Sequence, residues 1–279
     1  MNGFFLVNKE KNYTSNDVVQ KIKKKFSFKK VGHLGTLDPI AEGLIILAVN
    51  RATKFSNFFL ESEKSYFVEI KLGISTDTDD ITGKIVAKAP VKVTEKALKN
   101  EINNFLGTSL QKPPYFSALK HKGRPLYKYA RKGEFIDKEP RQIEIKKIKN
   151  ITYKNEICSF ELTCSKGTYI RSIARDLGEN LGCGAYMISL KRLKQHNFDL
   201  KNARTIENIN KNEIIKIEEA FLYLEKILLN DRESNLFQNG QEIIVQKNLK
   251  GFYRIYKNAN EFMGLGYVEG EILKHKQLV

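Results

Sequence analysis

Asp38 lies in the segment GHLGTLDPIAEGLI, residues 32–45, within a strongly basic part of the chain. No acidic residue occurs between Val18 and Leu37, where there are six lysines. Pro39 disfavours the αR conformation at Asp38, so the carboxylate is expected to project from a loop. Surrounding positive charge favours its ionised form. Such a group can act as a nucleophile or stabilise a cationic intermediate, and an Asx-type turn in a surface loop is the structural alternative.

A second candidate is an arginine at the start of a predicted helix. In KGTYIRSIARDLG, residues 166–178, Thr168 is the expected helix cap, Tyr169 lies in the first turn and Arg171 lies just inside it. Helix N-termini attract anions, and an arginine there can hold a carboxylate with two hydrogen bonds. A solvated surface arginine is the alternative, and spacing alone does not join Arg171 to Asp38.

Residues 113–141 lack a long apolar face and combine basic with aromatic side chains. The wider stretch 107–155 contains 13 Lys and Arg against 4 Asp and Glu. Basic side chains that neutralise phosphates and aromatic rings that stack on bases are together suited to binding single-stranded or looped RNA. The alternative is an amphipathic hairpin whose tyrosines pack on the core. The residues that carry the pattern are Lys112, Tyr115, Phe116, Lys120, Lys122, Arg124, Tyr127, Lys128, Tyr129, Arg131 and Lys132.

The composition also favours a polyanionic partner. The 279-residue chain has 48 Lys and Arg against 32 Asp and Glu, a net charge of +16, although a lysine-rich proteome is the alternative explanation. The three cysteines and four histidines have no spacing that predicts a disulfide framework or a zinc site. The segment 32–43 lacks the spacing of a P-loop or a dinucleotide fingerprint, so no nucleotide cofactor is expected.

No targeting or membrane segment is predicted. The N-terminal apolar run is too short for a signal peptide. The longest apolar run, residues 44–49, is far below the ~20 residues that span a bilayer. We therefore expect a reduced, cytoplasmic protein without a membrane partner.

The acid-rich segment STDTDDITG, residues 75–83, resembles the start of a calcium-binding loop but departs from it at two positions. Its glycine comes one position late, and Lys88 stands where a calcium loop has glutamate. The segment is therefore predicted to be a polar loop without a metal.

Apolar periodicity predicts an α+β fold. Helices are predicted from Thr14 or Ser15, over 52–60, from about Thr94 to Gly107, from Thr168 and over 221–229. Strands are predicted at 4–7, 44–49, 66–72, 143–153, 157–165 and 185–198, with a loop at 32–43 and short strands beyond 230. Because no regular βαβ period is present, a mixed, largely antiparallel central sheet flanked by helices is expected.

Four motifs, in this order and approximate spacing, resemble those of the bacterial tRNA pseudouridine-55 synthases, the tRNA pseudouridine synthase B family. They are GHLGTLDPIAEGLIILAVNRATKF, KSYFVEIKLG followed by STDTDDITG, PPYFSALKHKGRPLYKYARKG, and CSKGTYIRSIARDLGENLGCGAYMISLKRL. The resemblance extends from about Gly3 to Leu193. Beyond it, FQNGQEI and FMGLGYVEGEILKHKQL resemble a shortened RNA-binding PUA domain.

This resemblance implies an isomerase that needs neither a cofactor nor a metal. Uridine 55 in the T-arm loop of tRNA would be flipped out, its N1–C1′ bond would break, and the base would rotate so that C5 bonds to C1′. The implied organisation is a catalytic domain at 1–230 with a basic RNA-binding insertion at 108–141, followed by a short β-rich, PUA-like domain at 231–279. A monomer that binds the T-arm stem-loop is expected.

The resemblance also implies roles for individual residues. Asp38 would be the catalytic aspartate, attacking C1′ or assisting glycosidic cleavage. Tyr66 would stack on the target base and accept a proton, and Arg171 would pair with Asp38. His33 would occupy the space vacated by the flipped uridine, which compensates for lost stacking. The other residues implied to line the pocket or bind RNA are Gly35, Thr36, Lys54, Lys120, Arg124, Tyr127, Arg131, Arg141, Tyr169 and Leu190.

Two other kinds of function remain open from the sequence. A non-catalytic protein that binds or folds tRNA would keep its effects on tRNA after Asp38→Asn. A guide-RNA-dependent relative is disfavoured by the short C-terminal segment and by the insertion. One departure from the family pattern is Leu34, where many relatives carry glycine or threonine, and it affects only the expected geometry of the loop.

Overall fold

The computed structural model describes residues 1–258 and 260–279, except for the side chains of 246–249. Strands and helices follow one another without a regular period. The strands are β1 Gly3–Lys9, β2 Val31–His33, β3 Glu42–Val49, β4 Lys64–Leu72, β5 Ile74–Thr76, β6 Ile85–Lys88, β7 Gly107–Gln111, β8 Lys120–His121, β9 Arg124–Pro125, β10 Arg141–Lys154, β11 Ile157–Cys164, β12 Ala185–Gln195, β13 Phe198–Asp199, β14 Ile215–Lys216, β15 Lys226–Leu229, β16 Ile243–Lys257 and β17 Glu261–Leu278.

Six α-helices and four short 3₁₀ helices complete the described part of the chain. The α-helices are α1 Ser15–Phe26, α2 Ser56–Leu60, α3 Glu95–Asn104, α4 Leu126–Ala130, α5 Ile170–Asn180 and α6 Asp231–Gln238. The 3₁₀ helices are Asn50–Phe55, Leu200–Asn202, Lys211–Glu213 and Glu219–Phe221. Each α-helix within residues 1–258 and 260–279 falls short of the length and apolar character needed to cross a bilayer.

A mixed sheet of ten strands forms the body of the molecule, in the order β14-β1-β3-β12-β4-β11-β10-β7, with β2 joined to β3 and β13 to β12. Its neighbouring strands are antiparallel, except that β12 runs parallel to β3. The predicted α+β class with a mixed, largely antiparallel sheet is confirmed. The centre of this sheet places β3, β12 and β4 side by side, and the candidate site is built on these three strands.

The sheet separates two layers of hydrophobic core. Phe5 and Val7 of β1 face a layer that also contains the apolar stripes of α1, α3 and α5, whereas Phe4 and Leu6 face a second layer with Phe59 and other aromatic rings. Because both faces of β1 and β3 are covered, their sequences are continuous apolar runs rather than alternating ones. The start of α1 is set by a capping box in which Thr14 and Asp17 bond each other's backbone amides.

The region 221–229 is not the predicted helix, and that prediction was wrong. A 3₁₀ helix covers Glu219–Phe221, and Lys226–Leu229 forms β15. β15 pairs in parallel with residues 254–257 of β16. Hydrogen bonding to a distant strand therefore decides the conformation here, and local apolar spacing carries no information about it.

Four further differences from the predictions are found. Helix α6 was not predicted, although Asn230 and Glu233 form a capping box at its start. The predicted loop at 32–43 begins with residues of β2, and the predicted helix at 52–60 is a 3₁₀ helix followed by the five-residue α2. Short strands expected beyond 230 are instead two long ones, β16 with 15 residues and β17 with 18.

The C-terminal sheet has the order β15-β16-β17 and its own apolar cluster with α6. It packs on the second core layer of the main sheet. Leu265 is buried in that layer, and the rings of Phe58 and Phe252 meet edge to face with their centroids 5.3 Å apart. This contact attaches the C-terminal sheet to the side of the main sheet opposite α1 and α5.

Candidate active site

The loop that carries Asp38 is held by hydrogen bonds to every one of its carbonyl groups. We call residues 34–39, between β2 and β3, the Asp38 loop. Gln195 donates to Leu34 O, and Arg192 donates to Gly35 O and Thr36 O. Ser15 donates to Leu37 O, and the Ala41 amide donates to Asp38 O. Lys9 and the Asn12 amide both donate to Pro39 O. The backbone at Asp38 is therefore fixed from both sides, which is the preorganisation that a catalytic carboxylate needs.

Arg171 meets Asp38 across a sequence separation of 133 residues. Its Nε lies 2.8 Å from Asp38 Oδ2 and its Nη2 lies 3.4 Å from Oδ1. Arg171 is 5 % exposed, whereas the Asp38 side chain keeps 34 % of its exposure. The carboxylate is thus held on one side and open to a ligand on the other.

The position of Arg171 follows from the start of α5. Tyr169, and not the predicted Thr168, is the N-cap residue, and the Thr168 hydroxyl instead donates to Ser165 O. Arg171 lies in the first turn, two residues after Tyr169. The side chain of Gln111 both accepts a hydrogen bond from the Tyr169 amide and donates one to the Tyr169 carbonyl. Burial lowers the pKa of Arg171, but the charges of Asp38 and Asp80 outweigh it, so the pKa lies above the usual value.

The acid-rich segment 75–83 contributes to the site, which the sequence did not suggest. Arg171 Nη1 donates to Thr78 O at 3.1 Å, and Arg171 Nε lies 3.7 Å from Asp80 Oδ2. Asp80 Oδ1 accepts from Thr78 Oγ1 and from both the amide and the hydroxyl of Thr82. Residues 77–83 form a loop, as predicted, whereas Ser75 and Thr76 belong to β5, so the prediction was wrong for these two residues. Asp80 is a buried second partner of Arg171. The sequence signal was the set of threonines around Asp80, which can bond a carboxylate locally.

Next to Asp80, Asp79 lies in a second ion-pair group behind the site. Arg175 Nη1 is 3.4 Å from Asp79 Oδ2, and Arg175 Nη2 is 2.7 Å from Asp176 Oδ1. Burial raises the pKa of Asp79 to about 6, against the opposing charge of Arg175. This carboxyl group therefore binds its proton more tightly in the folded protein than in the unfolded chain.

The raised pKa of Asp79 predicts a specific pH dependence of stability. A carboxyl group with a raised folded pKa stabilises the fold at low pH, and that contribution is lost as pH rises from about 4 through about 6. Replacing Asp79 by Asn removes this titration. Between pH 4 and pH 7 the wild type should lose about 2 kcal/mol of unfolding free energy relative to Asp79→Asn, as measured by urea denaturation.

Asp137→Asn is the control for this pH series. Asp137 is exposed, and its hydrogen bond with Lys112 lowers its pKa, so its contribution is lost as pH falls rather than as pH rises. A constant stability difference between Asp79→Asn and wild type across this pH range would contradict the assignment of Asp79.

Tyr66 lies on β4, opposite Arg192 of β12, and is 7 % exposed. Burial raises the pKa of Tyr66 against the opposing charge of Arg192, so the phenol is neutral at physiological pH. The guanidinium carbon of Arg192 lies 5.5 Å from the centroid of the Tyr66 ring. Since Arg192 also donates to the Asp38 loop, Tyr66 and Asp38 are linked through one side chain.

The other residues expected in the pocket surround this group. His33 ends β2 just before the Asp38 loop; burial lowers its pKa, and its Nδ1 is buried without a hydrogen-bond partner among the described residues. Leu190 is buried on β12 opposite Val68 of β4. Within the Asp38 loop Gly35 is buried and Thr36 is exposed. Leu34, the departure noted above, is buried in the second core layer.

The basic excursion, residues 113–141, is attached to the site by backbone carbonyls. Arg171 Nη2 donates to Phe116 O at 2.9 Å, and Ser172 Oγ donates to Lys112 O at 3.0 Å. Leu126 and Ala130, two of its buried residues, are separate from the three core clusters of the described chain. The excursion therefore stands away from the core while its base contacts Arg171.

The structure does not bring the predicted RNA-binding residues into contact with Asp38. Lys120 and Arg124 lie exposed on the β8–β9 hairpin, and the Arg131 guanidinium lies 5.4 Å from the Tyr127 ring. Arg141 is exposed at the start of β10. Exposed Lys54 lies on the 3₁₀ helix Asn50–Phe55. Within residues 1–258 and 260–279, no hydrogen bond or ion pair joins these six side chains to Asp38, Tyr66 or Arg171.

No metal site accompanies these residues in the described part of the chain: no three His, Cys, Asp or Glu side chains there are grouped to hold a metal ion. All three cysteines are free and buried. Burial raises the pKa of Cys158 to about 12 and that of Cys164 to about 11, so these two thiols are unreactive at physiological pH.

Three family comparisons match successive parts of the chain. Residues 23–170 match the N-terminal domain of the TruB family pseudouridylate synthases. Residues 171–232 match the tRNA pseudouridylate synthase B C-terminal domain, and residues 226–279 match the C-terminal region of pseudouridine synthase II TruB.

Among curated relatives, a tRNA pseudouridine synthase B of Clostridium kluyveri is 40% identical over 275 residues, which are 95% of each chain. The corresponding protein of Methylobacillus flagellatus is 37% identical over 95% of this chain and 91% of its own. A solved chain titled "Structure of H/ACA RNP bound to a substrate RNA containing 2'-deoxyuridine" superposes with a TM-score of 0.72 at 20% identity, covering 99% of this chain and 84% of its own, and so supports the fold. The chain therefore belongs to the TruB family of pseudouridylate synthases.

Proposed function

We propose that this protein is a tRNA pseudouridine synthase, an isomerase that converts a uridine in tRNA to pseudouridine. The observation that carries the proposal is the ion pair of Asp38 and Arg171, 2.8 Å from Nε to Oδ2, in a loop whose carbonyls are all engaged. The chain has this geometry at the positions where its family motifs lie, and its relatives are enzymes named for this activity.

The geometry supports distinct roles for three residues. Asp38 acts at C1′ of the extruded nucleotide, because its open side faces solvent while Arg171 holds its other side in place. The N1–C1′ bond breaks, the base rotates, and C5 bonds to C1′; the proton on C5 leaves and N1 gains one, so the product is an isomer. Tyr66, neutral and buried beside this group, stacks on the base. It is our candidate for relaying the C5 proton: the neutral phenol accepts that proton only as it gives up its own, and N1 is the final acceptor.

We further propose how the protein holds its substrate. The target is uridine 55 in the T-arm loop, and it enters the site flipped out of its stack, with His33 filling the vacated space. Lys120, Arg124, Tyr127, Arg131 and Arg141 of the insertion 108–141 bind the RNA, with Lys54, Gly35, Thr36, Tyr169 and Leu190 completing the surface. Residues 231–279 form a small PUA-like domain that also contacts RNA. The protein acts as a monomer in the cytoplasm.

Incubation with an unmodified tRNA transcript tests the proposed function. Carbodiimide treatment followed by reverse transcription stops at pseudouridine, so a new stop is expected at position 55 and at no other uridine. No stop at any uridine would leave a non-catalytic role in tRNA binding or folding. A stop at another uridine would retain the synthase and remove the proposed T-arm target.

The role of the basic excursion predicts a strong dependence of tRNA affinity on salt. If about five phosphates are neutralised, log affinity should fall against log salt with a slope near −3.5 to −4.5. The double variant Arg124→Ala with Arg131→Ala should reduce this slope by about 1.4 to 1.8 because two contacts are lost. Filter binding at about 50 to 300 mM salt measures both slopes.

Lys99→Ala is the matched control for those substitutions. Lys99 is a partly exposed lysine of α3 that pairs with Glu95, outside the excursion. The slope of log affinity against log salt for Lys99→Ala should equal that of the wild type. An unchanged slope in the double variant would remove the excursion from the RNA-binding surface.

A further inference from the structure

Arg192 is a buried cation for which the proposed chemistry has no assigned use. It is 1 % exposed and is the largest of the fully buried side chains in the described structure. Among residues 1–258 and 260–279 no carboxylate lies within 4.0 Å of its guanidinium, whereas Arg171 has two such partners and Arg175 has three. A buried charge without a counter-ion is costly and is retained only where other interactions or a function require it.

The hydrogen bonds of Arg192 converge on the Asp38 loop. Nη2 donates to Thr36 O at 2.6 Å, and Nη1 lies 3.2 Å from Gly35 O and 3.3 Å from Leu44 O. Nη1 also lies 3.4 Å from Oε1 of Gln195. Two successive peptide groups, ending two residues before Asp38, therefore bond to one rigid, planar group.

Gln195 extends the same support along the loop. Its Nε2 donates to Leu34 O at 2.5 Å and to Phe59 O at 3.1 Å. Gln195 and Arg192 lie three residues apart on β12, and both are buried. The support thus comes from a central strand of the sheet, and neither residue was singled out from the sequence.

The same guanidinium also contacts the other catalytic candidate. On β12, Arg192 lies opposite Gly43 of β3 on one side and opposite Tyr66 of β4 on the other. A Cβ at Gly43 would overlap the backbone of Arg192, and the φ of Gly43, 101°, is one that glycine tolerates. This close approach of β3 brings the loop carbonyls over Arg192, while its guanidinium carbon lies 5.5 Å from the Tyr66 centroid.

We propose that Arg192 is a positioning residue that sets the Asp38 loop and the Tyr66 ring relative to each other, and this inference rests on the proposed isomerase function. Its bonds to the carbonyls of Gly35 and Thr36 fix the approach of Asp38, and its contact with the ring fixes the platform for the base. A displacement of about 1 Å between such groups can cost about 100-fold in rate.

Arg192→Gln and Arg192→Lys test this role. Both are assayed under single turnover by release of tritium from C5-labelled uridine in tRNA, alongside filter binding and thermal unfolding. We expect Arg192→Gln to lower the rate by about 100-fold with tRNA affinity nearly unchanged. Lysine keeps the charge but offers a compact donor instead of a planar fork, so we expect Arg192→Lys to be slowed by about 10-fold or more.

Cys158→Ala serves as the control for loss of stability. Cys158 is buried on β11, opposite Ile70 of β4, and has no bond to the Asp38 loop. The Cys158→Ala variant should unfold at a lower temperature, and the single-turnover rate of the folded protein should be unchanged. A purely structural role of Arg192 would give the same result as this control.

Each outcome decides the proposal. Folded Arg192 variants that bind tRNA normally and turn over slowly support it, whereas folded variants with wild-type rates overturn it. If neither variant folds, Arg192 determines the fold rather than the geometry of the site, and the proposal is equally overturned. A wild-type protein that releases no tritium and forms no pseudouridine would instead refute the proposed function, which separates the two failures.

Discussion

Asp38→Asn is expected to abolish isomerisation while leaving tRNA affinity nearly unchanged. Asparagine has almost the same size and keeps an oxygen that can accept from Arg171 Nε, which lies 2.8 Å from the native carboxylate. It removes the anionic oxygen that is proposed to act at C1′. Loss of such a group commonly lowers the rate by about 10⁴-fold or more, whereas binding through phosphates and stacked bases is untouched.

The measurement is the single-turnover rate of pseudouridine formation, with filter binding on the same preparation. Asp231→Asn is a suitable control, because Asp231 is an exposed residue at the start of α6 that pairs with Lys257. It should leave the rate within about twofold of wild type, since exposed ion pairs contribute little. If Asp38→Asn retained more than about a tenth of the wild-type rate, Asp38 could not be the nucleophile or the essential catalytic acid.

Replacing Arg171 by Met is expected to damage both stability and catalysis. Methionine removes the cation shared by Asp38 and Asp80 and the donor to the carbonyls of Thr78 and Phe116. Breaking a buried ion pair in this way typically costs about 3–5 kcal/mol. Most of that cost should come from Asp80, whose side chain is 7 % exposed, rather than from Asp38, which is 34 % exposed and partly solvated.

Urea denaturation at fixed pH measures the stability loss, and the single-turnover rate should fall by about 10²-fold or more because Asp38 loses its orienting partner. Arg171→Lys separates charge from geometry: it should recover part of the stability but little of the rate, since a single ammonium cannot replace the planar fork.

Arg204→Met is the control for removal of an arginine ion pair. Arg204 and Glu213 are 2.9 Å apart, but the arginine side chain is 50 % exposed. The expected loss is within about 1 kcal/mol. Equal stability of Arg171→Met and Arg204→Met would show that the Asp38–Arg171–Asp80 group contributes nothing to folding and would weaken its proposed part in catalysis.

The helices with strong apolar stripes were predictable because their signals are local. Thr14 starts α1 with a capping box, Thr94 caps α3, and the apolar residues of α5 recur on one face. The strands β3, β4, β10, β11 and β12 were also predicted, since alternating or continuous apolar runs report which faces are buried. The fold class followed from the irregular order of these elements.

Local signals failed where a distant partner decides the conformation. Residues 226–229 have apolar spacing compatible with a helix, but parallel pairing with β16 makes them a strand. In the opposite direction, the Gly107 predicted to end α3 instead begins β7, and α3 ends at Asn104. Hydrogen bonds between strands far apart in sequence leave no periodic trace in either segment.

The sequence by itself determined that Asp38 lies in a glycine-containing loop within a basic part of the chain and that Arg171 lies in the first turn of a helix, because Pro39, the glycines and the helix pattern act over a few residues. Only the tertiary structure decided that these two meet across 133 residues, that Asp80 joins them, and that Arg192 lies beneath the loop. The physical reason is that ion pairs and buried donors require atoms within about 3 to 4 Å, and only the packing of the sheet, helix α5 and the loops brings residues distant in sequence that close.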